Sequence, residues 1–176
     1  MNIIAVPYNR RSFYLRPDTT LNRDCLDFYL PENITSLSAV PFAYVKVCKA
    51  GKSLLRKFAY RYYGGLGYGL ALEATPLIVP GEPASFVEAN SLDYSTYLLT
   101  EDSEGDGVTP PDFIKEGESL FTLTPPAREE IEQTIERVTS IISIRYGDLL
   151  LFDLHKGVEL LCGQRIGLGN NTILIK

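Results

Sequence analysis

Glu73, Asp153 and His155 are the side chains that could act together to move protons or hold a cation. His155 is the only histidine, and Asp153 stands two residues before it. A carboxylate beside an imidazole can serve as a general base or as half of a metal site. The plainer reading of His155 is a surface or loop residue at a strand end. Glu73 would supply a second carboxylate if the fold brought it to the other two, and nothing in the spacing proves that it does.

Other chemistry-bearing patterns lead nowhere specific. Cys25, Cys48 and Cys162 are odd in number and widely spaced, with no C-x-x-C pair and no Cys/His cluster, which argues against structural zinc and reads as reduced core thiols. The glycine-rich run at residues 64–69 does not match a dinucleotide or P-loop fingerprint, and Gly51-Lys52-Ser53 lacks the upstream glycine of a P-loop. No nucleophile elbow of the G-x-S-x-G kind is present. Residues 101–107 (EDSEGDG) are acidic but lack calcium-loop spacing, so they read as a solvated loop. Tyr60, Tyr62, Tyr63 and Tyr68 read as core and interface rather than as a ligand pocket.

The elements that must carry these residues are mostly strands. Residues 2–6, 13–15, 27–30, 43–48, 66–74, 95–100, 149–152, 158–161 and 172–175 are β-rich runs bounded by turn residues. Residues 54–63 place Leu54, Leu55, Phe58, Ala59 and Tyr62 on one helical stripe, with Ser53 as cap and Gly64-Gly65 as stop. A second helix follows Thr124-Pro125, with Glu129, Glu130 and Glu132 in its early turns and Ile131, Ile135, Val138 and Ile142 as the buried stripe. Gly169-Asn170-Asn171 makes a turn before the last strand. Strands with two main helices predict an α+β fold.

Bulk properties narrow the class. The 176 residues suit one domain spanning 1–176. Hydrophobic content of 45% and charged content of 22% are those of a globular chain. A net charge of -5 repels phosphate backbones, so nucleic acid is not expected as a partner. No apolar stretch approaches the ~20 residues that span a bilayer, and the apolar run at the start is too short for a signal-peptide core. A cytoplasmic protein without a membrane partner is expected.

Several segments together carry a family resemblance. Cys48-Lys49-Ala50-Gly51-Lys52-Ser53 followed by residues 57–63 (KFAYRYY) resembles the "C-x-x-G-K-S … F-A-x-R-Y-Y" segment of fumarylacetoacetate hydrolase-family proteins. In the same order, residues 2–6 resemble the family's opening strand, and residues 13–21 (FYLRPDTTL) its "F-x-K-P-x-S-x-L" segment. Residues 135–151, with Gly147-Asp148-Leu149-Leu150, resemble its late helix and "G-D-L" strand. The chain resembles a shortened, divergent form of the family's C-terminal catalytic domain. The implied fold is a mixed β-sandwich roll, and the implied assembly is a homodimer.

The resemblance also says what chemistry to look for. The family's enzymes bind Mg²⁺, Mn²⁺ or Ca²⁺ through an E-x-E pair and a later aspartate, and act on β-diketo or oxo acids as C–C hydrolases, decarboxylases or isomerases. Counted from Cys48, the E-x-E positions fall on Val40 and Phe42, and the aspartate on Ala71. The later lysine falls near Asn90, and only residues 7–12 stand where the family has a longer histidine-bearing stretch. Apolar residues at all three ligand positions leave no metal site, and no cofactor is expected. The expected protein is a non-catalytic homologue, an interaction or regulatory subunit, pairing with itself or with an active paralogue. The alternative is a divergent hydrolase, isomerase or decarboxylase with a relocated site at Glu73, Asp153 and His155; Glu73 shares a strand face with Ala71.

Overall fold

The computed structural model describes residues 1–9, 12–100 and 109–176; the acidic run at 101–107 lies outside them. In chain order the strands are β1 (Ile3–Val6), β2 (Tyr14–Arg16), β3 (Leu21–Asn22), β4 (Leu37–Val47), β5 (Tyr63–Glu73), β6 (Thr96–Leu98), β7 (Asp112–Lys115), β8 (Glu118–Thr122), β9 (Leu149–Asp153), β10 (Val158–Leu160), β11 (Arg165–Leu168) and β12 (Asn171–Leu174). Helix α1 spans Pro83–Ala89 and α2 spans Arg128–Ile141.

The larger sheet runs β2-β1-β9-β4-β5-β6-β3, with β10 added to β4; the smaller runs β12-β11-β7-β8. Strands β2 and β3 lie at opposite ends of the large sheet, yet only the short turn around Asp18–Thr20 separates them in sequence. The sheet must therefore curl until its ends approach, which makes it a roll. A mixed, rolled sheet with α2 packed on its outer face is the α+β architecture expected from the sequence.

Strand β4 explains the core. Its residues are buried on both faces, with one half-buried exception, so the strand shows no polar alternation. Val40, Phe42 and Tyr44 face the roll interior with Ile3, Ala5, Ala71, Leu149 and Leu151. Val45 and Val47 face outward onto Ile131, Ile135 and Val138 of α2. Leu37, Ala39 and Ala43 face outward onto Phe113, Ile166 and Ile173 of the smaller sheet. One strand thus contributes to three cores.

Several local expectations need correction. Residues 54–63 do not form an α-helix: Arg56–Arg61 is a 3₁₀ turn, Ser53 has a left-handed φ of 52°, and β5 begins at Tyr63. Pairing of Val47 with Tyr63 draws the segment into the sheet before a helix can complete. Leu55 and Phe58 of the supposed buried stripe are exposed, as is Tyr60, whereas Tyr68 is fully buried in another core. Residues 27–30 make only a bridge, between Phe28 and Ile175. α2 begins at Arg128 without a side-chain cap; its Ile131, Ile135 and Val138 are buried as expected, whereas Ile142 lies just past its end and is half-buried. All three cysteines are free but exposed, not core thiols. Among the described residues, no helix is long and apolar enough to cross a membrane.

Candidate functional site

The roll interior is the place to look, because it gathers residues from seven strands onto one concave face. Strand register puts Val40 opposite Ala71 and Phe42 opposite both Gly69 and Asp153. The three positions singled out from the sequence, Val40, Phe42 and Ala71, therefore share this face. All are buried.

Aromatic rings fill the space. A Cβ on Gly69 would lie 2.4 Å from the Phe42 ring, and one on Gly67 would lie 2.5 Å from the Tyr44 ring. The two rings thus lie on the bare backbone of β5, where any side chain would displace them. They pack edge to face at 6.3 Å between centroids. The Tyr44 hydroxyl donates to the Thr100 carbonyl at 2.7 Å, which anchors that ring.

Polar groups meet at the rim where the roll closes. Arg16, 2% exposed, reaches from β2 across the gap to the far side of the sheet. Its Nε donates to Thr96 Oγ1 at 3.0 Å and its Nη1 to Asn90 Oδ1 at 2.7 Å. Its Nη2 donates to Ser95 Oγ at 2.9 Å and to the Leu72 carbonyl at 3.3 Å. The Tyr14 hydroxyl donates to the same Asn90 oxygen at 3.0 Å. Arg16 is thus the pin that holds the two edges of the sheet together.

Glu73 and Asp153 flank this pin. Burial pushes the Asp153 carboxyl up to about 8; the neighbouring Glu73 charge adds to the rise, while the Arg16 guanidinium and the Tyr8 N–H oppose it. Burial also raises Glu73, again against Arg16. Burial outweighs the Arg16 charge at Tyr14 as well, so its phenol stays protonated. Asp153 is therefore largely an uncharged acid at neutral pH. Because its folded pKa lies above the ordinary carboxylate value, the folded chain binds more protons than the unfolded chain between about pH 4 and pH 8, and stability falls as pH rises through that window. Between pH 6 and 7 the wild type is expected to lose about 1 kcal/mol relative to Asp153→Asn, measured by urea unfolding at each pH. Parallel curves for the two proteins would refute the assignment.

His155 is placed differently. Its ring stacks on Phe121 at 4.3 Å and near Tyr8 at 5.9 Å, and Nδ1 lies 2.7 Å from the Lys156 carbonyl oxygen. Among the described residues, no group of three His, Cys, Asp or Glu side chains could hold a metal ion. The structure thus brings Glu73 and Asp153 into electrostatic contact, and holds His155 against aromatic rings. Among the rim residues, Ser95 and Thr96 were read only as part of a strand; Tyr14 and Arg16 entered only within the family-like segment at residues 13–21, and Asn90 only through the family's lysine position.

Solved structures give the architecture a name. A fumarylacetoacetate hydrolase family protein of Yersinia pestis CO92 matches 99% of this chain over 91% of its own, at 16% identity and a TM-score of 0.77. The chain has the fumarylacetoacetate hydrolase fold. Maleylpyruvate hydrolase of Sphingobium sp. SYK-6 matches 99% of the chain over 69% of its own, at 16% identity and TM-score 0.72. The 2-hydroxyhepta-2,4-diene-1,7-dioate isomerase of Mycobacterium marinum matches 99% over 73%, also at 16% and 0.72. No protein-family model and no curated protein matches the sequence. Hydrolases and isomerases thus share this fold, and identities this low carry the architecture, not the chemistry.

Within the fumarylacetoacetate hydrolase fold, the G-D-L aspartate has a structural explanation. Asp148 is buried and accepts from the Asn2 N–H at 2.7 Å, the Asn2 side-chain amide at 3.0 Å and the Arg145 N–H at 2.8 Å. It ties the start of β1 to the turn before β9.

Proposed function

We propose that this chain is a fumarylacetoacetate hydrolase-family homologue that has lost the divalent-metal chemistry and works as an interaction or regulatory subunit. One observation carries the reading: the fully buried Phe42 ring lies on Gly69, on the face where the resemblance places three oxygen ligands. Val40, Phe42 and Ala71 offer no donor atom, and a hard cation requires several oxygens. An Mg²⁺ or Mn²⁺ ion therefore does not fit these residues, and no step is derived through one. A buried carboxylate without its cation would cost several kcal/mol, so apolar replacements relieve that cost once the metal is gone.

The same reading makes the protein cytoplasmic and a dimer, with itself or with an active paralogue. The test is elemental analysis of the purified protein together with assays on acylpyruvates and oxaloacetate, with and without added Mg²⁺ or Mn²⁺. Substoichiometric metal and no metal-dependent turnover are expected. A tightly held stoichiometric cation, or turnover that EDTA abolishes, would overturn the proposal.

The raised Asp153 beside Glu73 favours a second reading, metal-free acid–base chemistry at the rim. Protonated Asp153 would give its proton to an oxo-acid oxygen while Glu73 takes one from carbon, a keto–enol interconversion in which charge and protons balance. EDTA-insensitive turnover, lost in Asp153→Asn, would select this reading over the first.

A further inference from the structure

A groove of about 570 Å³ opens at the surface beside β3, walled by residues 18–19, 21–24 and 26–29 and by Asp93 and Tyr94; Leu21 at its base also packs into the roll interior. Leu21, Asn22 and Phe28 are its buried part. Leu26, Tyr29 and Tyr94 along it are 63%, 71% and 63% exposed, which is a large apolar load to leave in water on one surface. Four aspartates line it (Asp18, Asp24, Asp27 and Asp93) against one arginine, Arg23.

One wall is held in unusual backbone. Tyr94 adopts a left-handed φ of 59°, as does Cys25, at 49°, between the lining residues Asp24 and Leu26. Such values are costly for non-glycine residues and persist where surroundings enforce them. The Tyr94 N–H donates to the Thr19 carbonyl at 3.0 Å, which ties one wall of the groove to the other.

The groove already shows how it holds a cation. The Lys176 ammonium lies 2.9 Å from Asp27 Oδ2 and 5.4 Å from the centre of the Tyr29 ring. A carboxylate and an aromatic face together form a cation site. Asp18, Asp93 and Tyr94 supply the same pair of chemistries elsewhere in the groove. We propose that this groove docks a basic peptide segment of a partner protein, with a Lys or Arg side chain against Tyr94, Asp18 and Asp93 and an apolar neighbour covering Leu26. With Asp27 covered by Lys176, the three aspartates Asp18, Asp24 and Asp93 still outnumber Arg23, and that excess sets the charge of the partner.

The test uses the full chain and a fluorescein-labelled peptide of alternating Lys and Leu, with a Glu-for-Lys counterpart, read by fluorescence anisotropy at low and high salt. Saturable, salt-sensitive binding of the basic peptide alone is expected, weakened at least about tenfold in Asp18→Asn/Asp93→Asn and in Tyr94→Gly. Glycine suits the left-handed backbone at residue 94, and a cooperative urea-unfolding transition checks that the variant is folded. No saturable binding, equal binding of both peptides, or equal binding by the variants would overturn the proposal. So would self-association that the basic peptide cannot displace and the variants abolish, since that assigns the groove to a second copy. Metal content and turnover play no part in this readout, so the docking site and the proposed function stand or fall separately.

Discussion

Arg16→Met is expected to lower stability by about 3–5 kcal/mol, the range for removing one member of a buried charged network. The substitution keeps most of the side-chain volume, so the loss is electrostatic and hydrogen-bonding. Thr96, Asn90, Ser95 and the Leu72 carbonyl each lose a donor at once. Arg16 also holds the Asp153 carboxyl below the value that burial alone would set, so without it that acid rises further. Arg16→Lys should recover only part, because one ammonium cannot reproduce a planar fork serving four acceptors. Urea unfolding of the three proteins, beside exposed Arg137→Met as control, measures the effect. A loss below about 1 kcal/mol for Arg16→Met would mean that the roll closes without this pin.

Gly69→Ala is expected to be as damaging, at about 3 kcal/mol or more, from the addition of one methyl group. The new Cβ would sit 2.2 Å from the Tyr97 carbonyl oxygen and 2.4 Å from the Phe42 ring. The first contact is with the backbone of the neighbouring strand, which cannot step aside without breaking the β5–β6 ladder at Gly69 and Leu98. Gly64→Ala provides the contrast on the same strand: its nearest neighbour, the Lys46 carbonyl oxygen, is 4.0 Å away. That change should be neutral or stabilising by about 0.5 kcal/mol, through lower unfolded-state entropy. Melting temperatures of both variants decide the matter, and equal effects would remove Phe42 as the filler of the roll.

The residues explain what could be foreseen. The buried stripe of α2 was legible because Ile131, Ile135 and Val138 repeat at helical spacing. The hairpin of β7 and β8 was not, since β8 is mostly exposed and lacks alternation, and its turn is a left-handed Glu116-Gly117. The 3₁₀ turn misled because its helical pattern is real and is overruled by long-range pairing with β4. At the site, apolar residues at positions 40, 42 and 71 could be read directly, and their shared face follows from strand periodicity. The burial of Arg16 could not, because it depends on residues 56–80 positions away meeting it.

The hydrogen bond from Asn2 to Asp148 spans 146 positions, and β1 finds its parallel neighbour only in β9. At ribosomal speeds the opening strand must wait roughly 7–30 s for that neighbour to be synthesised. During that time four apolar residues, Ile3–Val6, have an unpaired ladder edge facing the nascent chain and whatever else is in the cell. The hairpin of β4 and β5 can assemble early from neighbouring sequence, but the roll closes late, and its yield in the cell should depend on chaperones that shield the first strand until then.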